Sequence, residues 1–440
     1  MSNRQISRRS FLKESALSAG AVLSAPAILE ARNPNLKVGL GCIGVGHQGT
    51  YNLMRWAKEI PGVEIRAVND VWDSHLNRGK TESNNPHVTG YTHYQDLLND
   101  KSIDAVIIAT PDHWHVPIAL DAVDAGKHIY CEKALTVDLD LAKKFREKFK
   151  GSGLVFQLGH GGRSRGPVKR GREIFNAGGL GKVTFVRCHY FRNSRISRWL
   201  DRPGETIPVP ADLTLGHLDW EQFCGPAPQR PFDPVRYLRW RNYWDYGTGI
   251  AGDLLSHHLD SINFTLNSGV PHSCITTGGI YYWDDGRETP DHWNAIYDWP
   301  EKDLSVTFSC EFNSSHYGTR LQYFGSEAAM EVGSDIKVYP EEVSDKYSDF
   351  IDGLKRQHNL DRSEPLRNIA IPAIYQWSEA DNLYRRTTLV GNFIDAIRDG
   401  VPAHCGIEAA FQEMATVMMS IESFRKGRKV IWDAEKEEIV

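Results

Sequence analysis

The stretch Val38-Gly-Leu-Gly-Cys-Ile-Gly-Val-Gly-His-Gln-Gly49 decides the fold of this 440-residue chain. An apolar run at 36–43 predicts a strand, and glycines in the pattern G-x-G-x-x-G follow it at Gly44, Gly46 and Gly49, before a helical pattern. In that order, the first glycine permits a tight turn, the second lets the backbone approach a pyrophosphate, and the third lets the helix pack on the strand. The segment therefore predicts a dinucleotide-binding Rossmann unit.

The next predicted strand, 63–68, leads into an acidic residue with a specific role in such units. Asp70 lies 21 residues after Gly49, where a carboxylate bonds the ribose hydroxyls of the adenosine. An anion there repels a 2'-phosphate, and Val71 and Trp72 supply no compensating cation. We therefore expect NAD as the cofactor, with NADP disfavoured. The alternative for Asp70 is a cap on the helix that follows.

Two further strands extend the pattern. One covers 104–110 and leads into the loop Pro111-Asp-His-Trp-His115, and the other covers 127–131 and ends in Glu132-Lys133. Alternating strands and helices predict a parallel, doubly wound sheet that binds its ligand at the carboxyl ends of the strands. Lys133 sits at such an end, although by itself it also fits an ordinary surface lysine.

Length and composition set the broad class. A chain of this size favours two domains, and 41% hydrophobic with 24% charged residues is typical of soluble proteins. The net charge of -5, without blocks of like charge, argues against a nucleic-acid partner. Seven cysteines without a C-x-x-C pair indicate core residues. No grouping has metal-ligand spacing, so no metal is expected.

The N-terminal segment has the order of an export signal. Ser7-Arg-Arg-Ser-Phe-Leu-Lys13 precedes an apolar run rich in small residues at 16–28, and the paired arginines mark the twin-arginine kind. The run is too short to span a membrane, and an A-x-A site at 25–27 suits cleavage. We expect residues 1–31 to be a twin-arginine signal peptide and the protein to be periplasmic or otherwise exported. The alternative is an ordinary helix start.

Four motifs together resemble the glucose-fructose oxidoreductase and inositol dehydrogenase family, often called Gfo/Idh/MocA. They are V-G-L-G-C-I-G-V-G-H-Q-G from residue 38, A-T-P-D-H-W-H-V-P-I-A-L-D-A-V-D-A-G-K-H-I-Y-C-E-K-A-L from 109, G-D-L-L-S-H-H-L-D from 252, and N-F-I-D-A-I-R-D-G-V-P from 392. The resemblance runs from about residue 37 to the C-terminus. It implies an α/β fold, with a Rossmann domain at 34–155 and a C-terminal α+β domain at 156–440 whose open sheet is mostly antiparallel.

The resemblance also implies catalytic residues. The family's E-K-P motif matches Glu132-Lys133-Ala134, where alanine replaces the proline and removes a rigid turn. Its Asp-x-x-x-His motif matches Asp253 and His257, whose i, i+4 spacing places both on one helical face. In the implied hydride transfer, His257 is the base, Lys133 stabilises the same substrate oxygen, and Asp253 holds one of the two in place.

The remaining candidates bind cofactor or substrate. The expected cofactor contacts are Gly44, Gly46, His47, Gln48, Gly49, Asp70, Thr110, Pro111, His115, Glu132 and Lys133. The expected substrate contacts are Arg163, Trp240, Tyr243 and His258. Arg165 is a weaker candidate of the same kind. The aromatic and arginine cluster at 236–244 equally fits a packed loop. His258 and Asp260 lie on other angles of the helix, which favours packing or support of the catalytic groups over substrate contact. His113 and His115 equally fit a role at the start of a helix.

Three functions remain open at this point. An exported enzyme has no free NAD to recycle, which favours either paired oxidation and reduction of sugars or polyols, or a redox-neutral glycosidase working by transient oxidation, elimination and hydration. The resemblance implies a T-H-G-x-G-P type motif for the family's glycosidase branch. This chain has S-H-H-L-D instead and so departs from that branch. A protein that only binds NAD is disfavoured by the intact Lys133, Asp253 and His257 set. The family's pairing of open sheet faces implies a homodimer or homotetramer.

Overall fold

The computed structural model describes residues 36–193, 208–367, 369–378 and 387–440. The predicted signal peptide, residues 1–31, lies outside these described residues. The first domain contains a six-stranded, fully parallel sheet in the order β3-β2-β1-β4-β5-β6. Its strands are β1 (Val38–Ile43), β2 (Val63–Asn69), β3 (Thr89–Tyr91), β4 (Ala105–Ile108), β5 (His128–Cys131) and β6 (Phe156–Leu158). The predicted doubly wound Rossmann fold is confirmed.

Helices cover both faces of this sheet. They are a π-helical turn at Gln48–Met54 that continues into α1 (Arg55–Lys58), α2 (Asp73–Glu82), α3 (Tyr94–Asn99), α4 (Asp112–Asp124) and α5 (Leu139–Phe149). The central strands β1 and β4 are buried along their whole length, as expected when a parallel sheet is covered on both sides. β6 begins one residue after the predicted domain boundary at 155, yet it pairs with β5 and completes this sheet.

The second domain is built on a ten-stranded sheet in the order β14-β13-β12-β11-β7-β10-β9-β8-β15-β16. Only its β7–β10 pair is parallel among the described strands, so the predicted mostly antiparallel sheet is confirmed. Its strands are β7 (Val183–Phe191), β8 (Ser273–Gly279), β9 (His292–Trp299), β10 (Leu304–Glu311), β11 (Thr319–Gly325), β12 (Ala328–Val332), β13 (Asp335–Pro340), β14 (Tyr375–Ser378), β15 (Val430–Asp433) and β16 (Glu438–Ile439).

The helices of the C-terminal part pack on one face of this sheet or return to the first domain. They are α6 (Gly166–Asn176), α7 (Trp220–Cys224), α8 (Pro234–Leu238), a π-helical turn at Ala251–Leu255 that continues into α9 (Ser256–Leu266), α10 (Ser348–Gln357), α11 (Thr387–Asp399) and α12 (Ile407–Lys426), with short 3-10 turns at Gly161–Ser164, Trp240–Asn242 and Pro300–Lys302. Strand β10 alternates buried and partly buried residues because one face of the sheet is covered.

Helix α11 belongs to the core of the first domain although it comes late in the chain. The ring of Phe393 lies 5.9 Å from that of Tyr130, between centroids. Arg398 donates from Nη2 to the carbonyl oxygen of Pro61 at 2.8 Å. The first domain is therefore completed by a C-terminal helix, which the predicted boundaries at 34–155 do not include.

The segment 208–246 joins the two domains at the carboxyl end of β2. Trp72 forms a bridge with Leu218, and the amide of Asp219 donates to the carbonyl oxygen of Val71 at 2.9 Å. Its aromatic side chains form a small core of their own with Trp72. The segment thus closes over the edge of the sheet where the glycine turn lies.

All seven cysteines are buried with free thiols, in keeping with their prediction as core residues. None of the helices in the described ranges has the length and apolar character needed to cross a membrane.

Candidate active site

A cavity of about 1280 Å³ lies between the carboxyl ends of the first sheet and the helical side of the second domain. It is larger than the roughly 300–1,000 Å³ that suits one drug-sized ligand, so a dinucleotide and a second small molecule both fit. The glycine turn, the loop after β5 and the start of α9 all reach it.

The three glycines of the turn have three different surroundings. Gly44 has a φ of +80°, and a Cβ there would lie 2.8 Å from the backbone of Ala109. A Cβ on Gly49 would lie 2.2 Å from the carbonyl oxygen of Gly44, so Gly49 serves packing and does not line the cavity. A Cβ on Gly46 would meet only His75, at 3.7 Å, and would occupy cavity space. The backbone at Gly46 is therefore open to a pyrophosphate, and the residues present fit a bound dinucleotide.

Asp70 lines the cavity where the adenosine is expected. One carboxylate oxygen accepts from the amide of Trp72 at 3.1 Å, and the other lies 3.5 Å from Nδ1 of His75. Trp72 is the N-cap residue of α2, so Asp70 holds the backbone just before this helix while it lines the cavity. Its contact with the ribose stays a prediction.

The other expected cofactor contacts divide into two groups. The residues that line the cavity directly are His47, Gln48, Thr110, Pro111, Glu132 and Lys133. Among them, Glu132 accepts from Nε2 of Gln48 at 3.2 Å, which ties the loop after β5 to the glycine turn. His115 is buried behind them instead, with Nε2 at 2.8 Å from the carbonyl oxygen of Thr110 and Nδ1 at 2.6 Å from that of Ala134. The cofactor contact expected of His115 is thus replaced by a role in positioning two loops.

Lys133 and Asp253 form an ion pair at the centre of the site. The Lys133 ammonium donates to Oδ1 of Asp253 and, at 3.0 Å, to its backbone carbonyl oxygen. Burial raises the pKa of Asp253, but the charges of Lys133 and Arg241 outweigh burial and lower that pKa to about 2. Asp253 therefore stays ionised and holds the ammonium at the cavity wall. The sequence left open whether Asp253 holds Lys133 or His257, and in the structure its carboxylate binds Lys133.

A close approach of two backbones makes this pair possible. The peptide bond between Lys133 and Ala134 is cis. A Cβ on Gly252 would lie 2.9 Å from that of Ala134 and 1.8 Å from Oγ1 of Thr248. Glycine at 252 therefore lets the turn that carries Asp253 pack against the loop that carries Lys133.

His257 lines the cavity one helical turn after Asp253. Burial lowers its pKa well below the ordinary value for histidine, and the positive charges of Lys133 and His160 lower it further. The imidazole is therefore neutral at physiological pH, which is the form that accepts a proton from a substrate hydroxyl.

A buried polar cluster lies behind His257. The ring of His160 stands edge-on to that of His257 with 5.8 Å between centroids, and its Nε2 lies 3.4 Å from Oε2 of Glu413. Burial raises the pKa of Glu413. For His160, burial lowers the pKa, but Asp260 and Glu413 outweigh it and raise the pKa overall. The cluster places groups that can share protons next to the catalytic imidazole.

Arg163 belongs to this cluster and not to the cavity. Its Nε donates to Oδ1 of the fully buried Asp260 at 2.6 Å, and its Nη1 donates to the carbonyl oxygen of His404 at 3.3 Å. The substrate contact expected for Arg163 is therefore corrected, because its charge is already paired inside the protein.

The remaining substrate candidates separate in the same way. Trp240 and His258 line the cavity, and burial lowers the pKa of His258 to about 4. Tyr243 is buried in the small core of segment 208–246, where the guanidinium of Arg236 stacks 4.1 Å from its ring. The substrate contact expected for Tyr243 is corrected, since its ring is enclosed by protein.

The loop-and-helix motif at 111–115 has a docking role that the sequence did not reveal. Asp112 accepts from Oγ1 of Thr248 at 2.7 Å, and Nε2 of His113 contacts the carbonyl oxygen of Phe223 at 2.9 Å. Trp114 donates to the same carbonyl at 3.0 Å and also lines the cavity. These residues join the first domain to segment 208–246 and to the turn at Thr248 that follows it.

Two further residues line the cavity: Tyr237, from the cluster at 236–244, and Arg78, which the sequence analysis missed. Arg78 donates to the carbonyl oxygen of Val45 at 3.3 Å, and Tyr237 places its hydroxyl 3.4 Å from Nδ1 of His75. Arg78 lies on α2, the helix that follows Asp70, and a cation on this helix is the sequence signal that could have identified it. In the described parts of the chain, no group of three His, Cys, Asp or Glu side chains could hold a metal ion.

Sequence comparison identifies both halves of the chain. Residues 38–160 match the Gfo/Idh/MocA oxidoreductase family, NAD-binding Rossmann fold, and residues 201–274 match its C-terminal alpha/beta domain. An inositol 2-dehydrogenase from Salmonella typhimurium is 27% identical over 36% of this chain and 47% of its own length. A glycosyl hydrolase family 109 protein from Shewanella pealeana is 32% identical over 31% of this chain and 35% of its own length. The matches thus span about a third to a half of these curated relatives.

Among solved structures, a levoglucosan dehydrogenase in complex with NADH and levoglucosan is similar over most of its length. It superposes with a TM-score of 0.65 over 90% of this chain and 99% of its own, at 16% identity. At this identity the likeness establishes the fold.

Proposed function

Because the chain belongs to the Gfo/Idh/MocA family of NAD-binding oxidoreductases, we propose that it transfers hydride between a carbon bearing a hydroxyl group and nicotinamide, with a sugar or polyol as substrate. The observation that carries the proposal is the convergence of Lys133, Asp253 and His257 at the cavity that the glycine turn enters. Relatives and neighbours named inositol 2-dehydrogenase and levoglucosan dehydrogenase support the substrate class.

Each residue of the set has a separate task. Gly44 and Gly46 would hold the pyrophosphate of NAD, whose nicotinamide would supply the hydride acceptor for the carbinol carbon. His257 takes the hydroxyl proton, and Lys133 donates a hydrogen bond to the same oxygen and stabilises its negative charge. Asp253 fixes the ammonium, so the donor is in place before the substrate arrives.

The experiment that tests the proposal separates catalysis from cofactor binding. Lys133→Met and His257→Ala should abolish turnover while the protein retains NAD, since neither change touches the glycine turn. Lys182→Met, at an exposed lysine paired with Asp303, should leave turnover unchanged. Loss of the cofactor from either active-site variant would refute the division of roles.

A redox-neutral glycosidase is the second candidate, favoured by the relatives named glycosyl hydrolase family 109. The same residues would take and return the protons of a transient oxidation, with release of an aglycone and no net change in the cofactor. A glycoside that yields free aglycone while the reduced-nicotinamide absorbance returns to its starting level would establish this reaction. A lasting absorbance change in proportion to product would establish net oxidation.

The proposed location is outside the cytoplasm. The support is the sequence around Arg8 and Arg9, and a twin-arginine signal suits a protein that folds around its cofactor before transport. Replacing both arginines by lysine should leave the protein in the cytoplasmic fraction. Export that continues unchanged would rule out this route.

The proposed assembly pairs two copies through the open face of the ten-stranded sheet. Ile275 and Ile296 lie opposite each other on neighbouring strands, and 43% and 48% of their surfaces are exposed. Paired aliphatic side chains on a solvent-facing sheet suit burial against a second copy. Light scattering should give a dimer or tetramer, and Ile296→Lys should shift it towards the monomer.

A further inference from the structure

Two arginines reach the part of the cavity beyond the catalytic pair. Arg165 follows the 3-10 turn before α6 and donates from Nη2 to the carbonyl oxygen of Gly333 at 2.6 Å. Arg241 lies in the turn after α8, with its guanidinium 4.1 Å from the ring of Trp240. Both line the cavity.

The two arginines have different neighbours in the cavity. The Nε of Arg241 lies 3.6 Å from Oδ1 of Asp253, next to the ammonium of Lys133. Arg165 lies beside Gly333, which also lines the cavity, and its positive charge adds to the burial that lowers the pKa of His258. Two guanidinium groups and the lysine therefore line one cavity.

The carboxylates that line the cavity contact residues other than Arg165. Among the described residues, the acidic side chains that line the cavity are Asp70 and Glu132. Asp70 faces Trp72 at the adenosine end, and Glu132 accepts from Gln48 of the glycine turn. Both belong to the cofactor's part of the cavity.

Asp253 provides negative charge to two cations of the site. It binds Lys133 and lies near Arg241, but in the described parts of the chain no carboxylate lies within ion-pair distance of Arg165. Arg165 is half-buried and contacts a neutral carbonyl. Its planar fork still has donors for a bidentate contact with an anion, which a neutral hydroxyl group cannot match.

We propose that the substrate is a sugar or polyol that carries an anionic group, such as the carboxylate of a uronic acid, and that Arg165 binds this group while the reacting hydroxyl lies at Lys133 and His257. The inference rests on the proposed hydride transfer, because that reaction places the hydroxyl. Beyond that reaction, it specifies that the substrate is anionic and that Arg165 selects it.

The test compares matched sugars on matched variants. The probes are glucose, galactose and mannose, each with its hexuronate, its 6-phosphate and its 6-sulfate, and the readouts are kcat and KM from the reduced-nicotinamide absorbance. For wild type we expect an anionic sugar to exceed its neutral partner at least about tenfold in kcat/KM, an advantage that falls with added salt. Comparison of the hexuronate, the 6-phosphate and the 6-sulfate of each sugar shows which anion is preferred.

Arg165→Gln should remove this preference by raising KM for the anionic sugar about 10-fold to 100-fold, with a smaller change in kcat and none for the neutral sugar. Arg170→Gln is the matched control, because Arg170 lies on α6, the helix that begins directly after Arg165, and pairs with Glu173 away from the cavity. Equal kcat/KM for neutral and anionic sugars in wild type, or equal losses for both in Arg165→Gln, would overturn the inference and leave the proposed function intact.

Equilibrium binding of the same probes to the NADH-loaded protein keeps the two proposals separable. Uronate binding that Arg165→Gln weakens, without hydride transfer to any probe, would support the anion site and count against the proposed reaction. Binding of the uronates that is no stronger than that of the hexoses would overturn the inference whatever the turnover.

Discussion

Replacing Asp253 with Asn removes the charge that faces Lys133 and keeps the size of the side chain. In the wild type the ammonium binds both the carboxylate and the backbone carbonyl of Asp253. The two side chains are largely buried, with 10% of Lys133 and 16% of Asp253 exposed. The variant leaves a mostly buried cation without its counter-charge, which is costly in a protein interior.

The pKa of Asp253 gives the size of the effect. Burial raises this pKa, but Lys133 and Arg241 outweigh it and lower the pKa from 3.8 to about 2. At about 1.4 kcal/mol per pKa unit, the shift corresponds to about 2 kcal/mol of stability. Because the pKa is lowered in the folded state, this stability is present above about pH 4 and is lost as the pH falls towards 2. We expect Asp253→Asn to lower the free energy of unfolding by about 2 kcal/mol at pH 7.

Urea unfolding followed by tryptophan fluorescence, at matched NAD occupancy and between pH 7 and pH 3, measures the difference. Asp303→Asn is the control, because Asp303 forms an ion pair of the same type with Lys182 but 61% of the lysine and 68% of the aspartate side chain are exposed. An exposed pair contributes at most about 1 kcal/mol. If Asp253→Asn cost no more than Asp303→Asn, or if its cost did not shrink in acid, the role assigned to the pair would be wrong.

Three further predictions follow from the site. Gly46→Ala should weaken NAD binding at least about tenfold by calorimetry, because its methyl group enters cavity space, whereas Gly391→Ala, whose Cβ meets nothing within 4 Å, should not; equal affinities would contradict this. The acid limb of kcat/KM should lie below pH 6.5, because burial lowers the pKa of His257, and a limb at or above that pH would exclude this base. Asp70→Ala should raise the affinity for NADP relative to NAD about tenfold in competition binding, and an unchanged ratio would remove its role in cofactor choice.

The sequence predicted the Rossmann fold because its signals are local. The glycine turn and the strands around it need only neighbouring residues to be recognised, and Gly44, Gly46 and Gly49 each meet a requirement of the backbone. Helix α11 could not be placed in the same way. Its contacts with Tyr130 and Pro61 join residues more than 250 positions apart, and its apolar face would fit either domain equally well.

For the candidate site, too, the sequence predicted local spacing but not tertiary contacts. The spacing of Asp253 and His257 put both on one helical face, but only the tertiary structure shows that the carboxylate binds Lys133. Arg163 and Tyr243 have side chains that suit both sugar binding and burial. Which of the two applies depends on whether a partner such as Asp260 is already present, and the sequence around each residue does not contain that partner.

Single-turnover measurements on the protein purified with its NAD test most directly whether it transfers hydride with the help of Lys133. Wild type and Lys133→Met, both with cofactor bound, are mixed with the neutral and anionic sugars while the reduced-nicotinamide absorbance is followed. We expect the absorbance to rise with particular sugars in the wild type and to stay flat in Lys133→Met at equal NAD occupancy. A wild type that binds NAD and gives no change with any sugar or glycoside, or a variant that reacts equally fast, would contradict it.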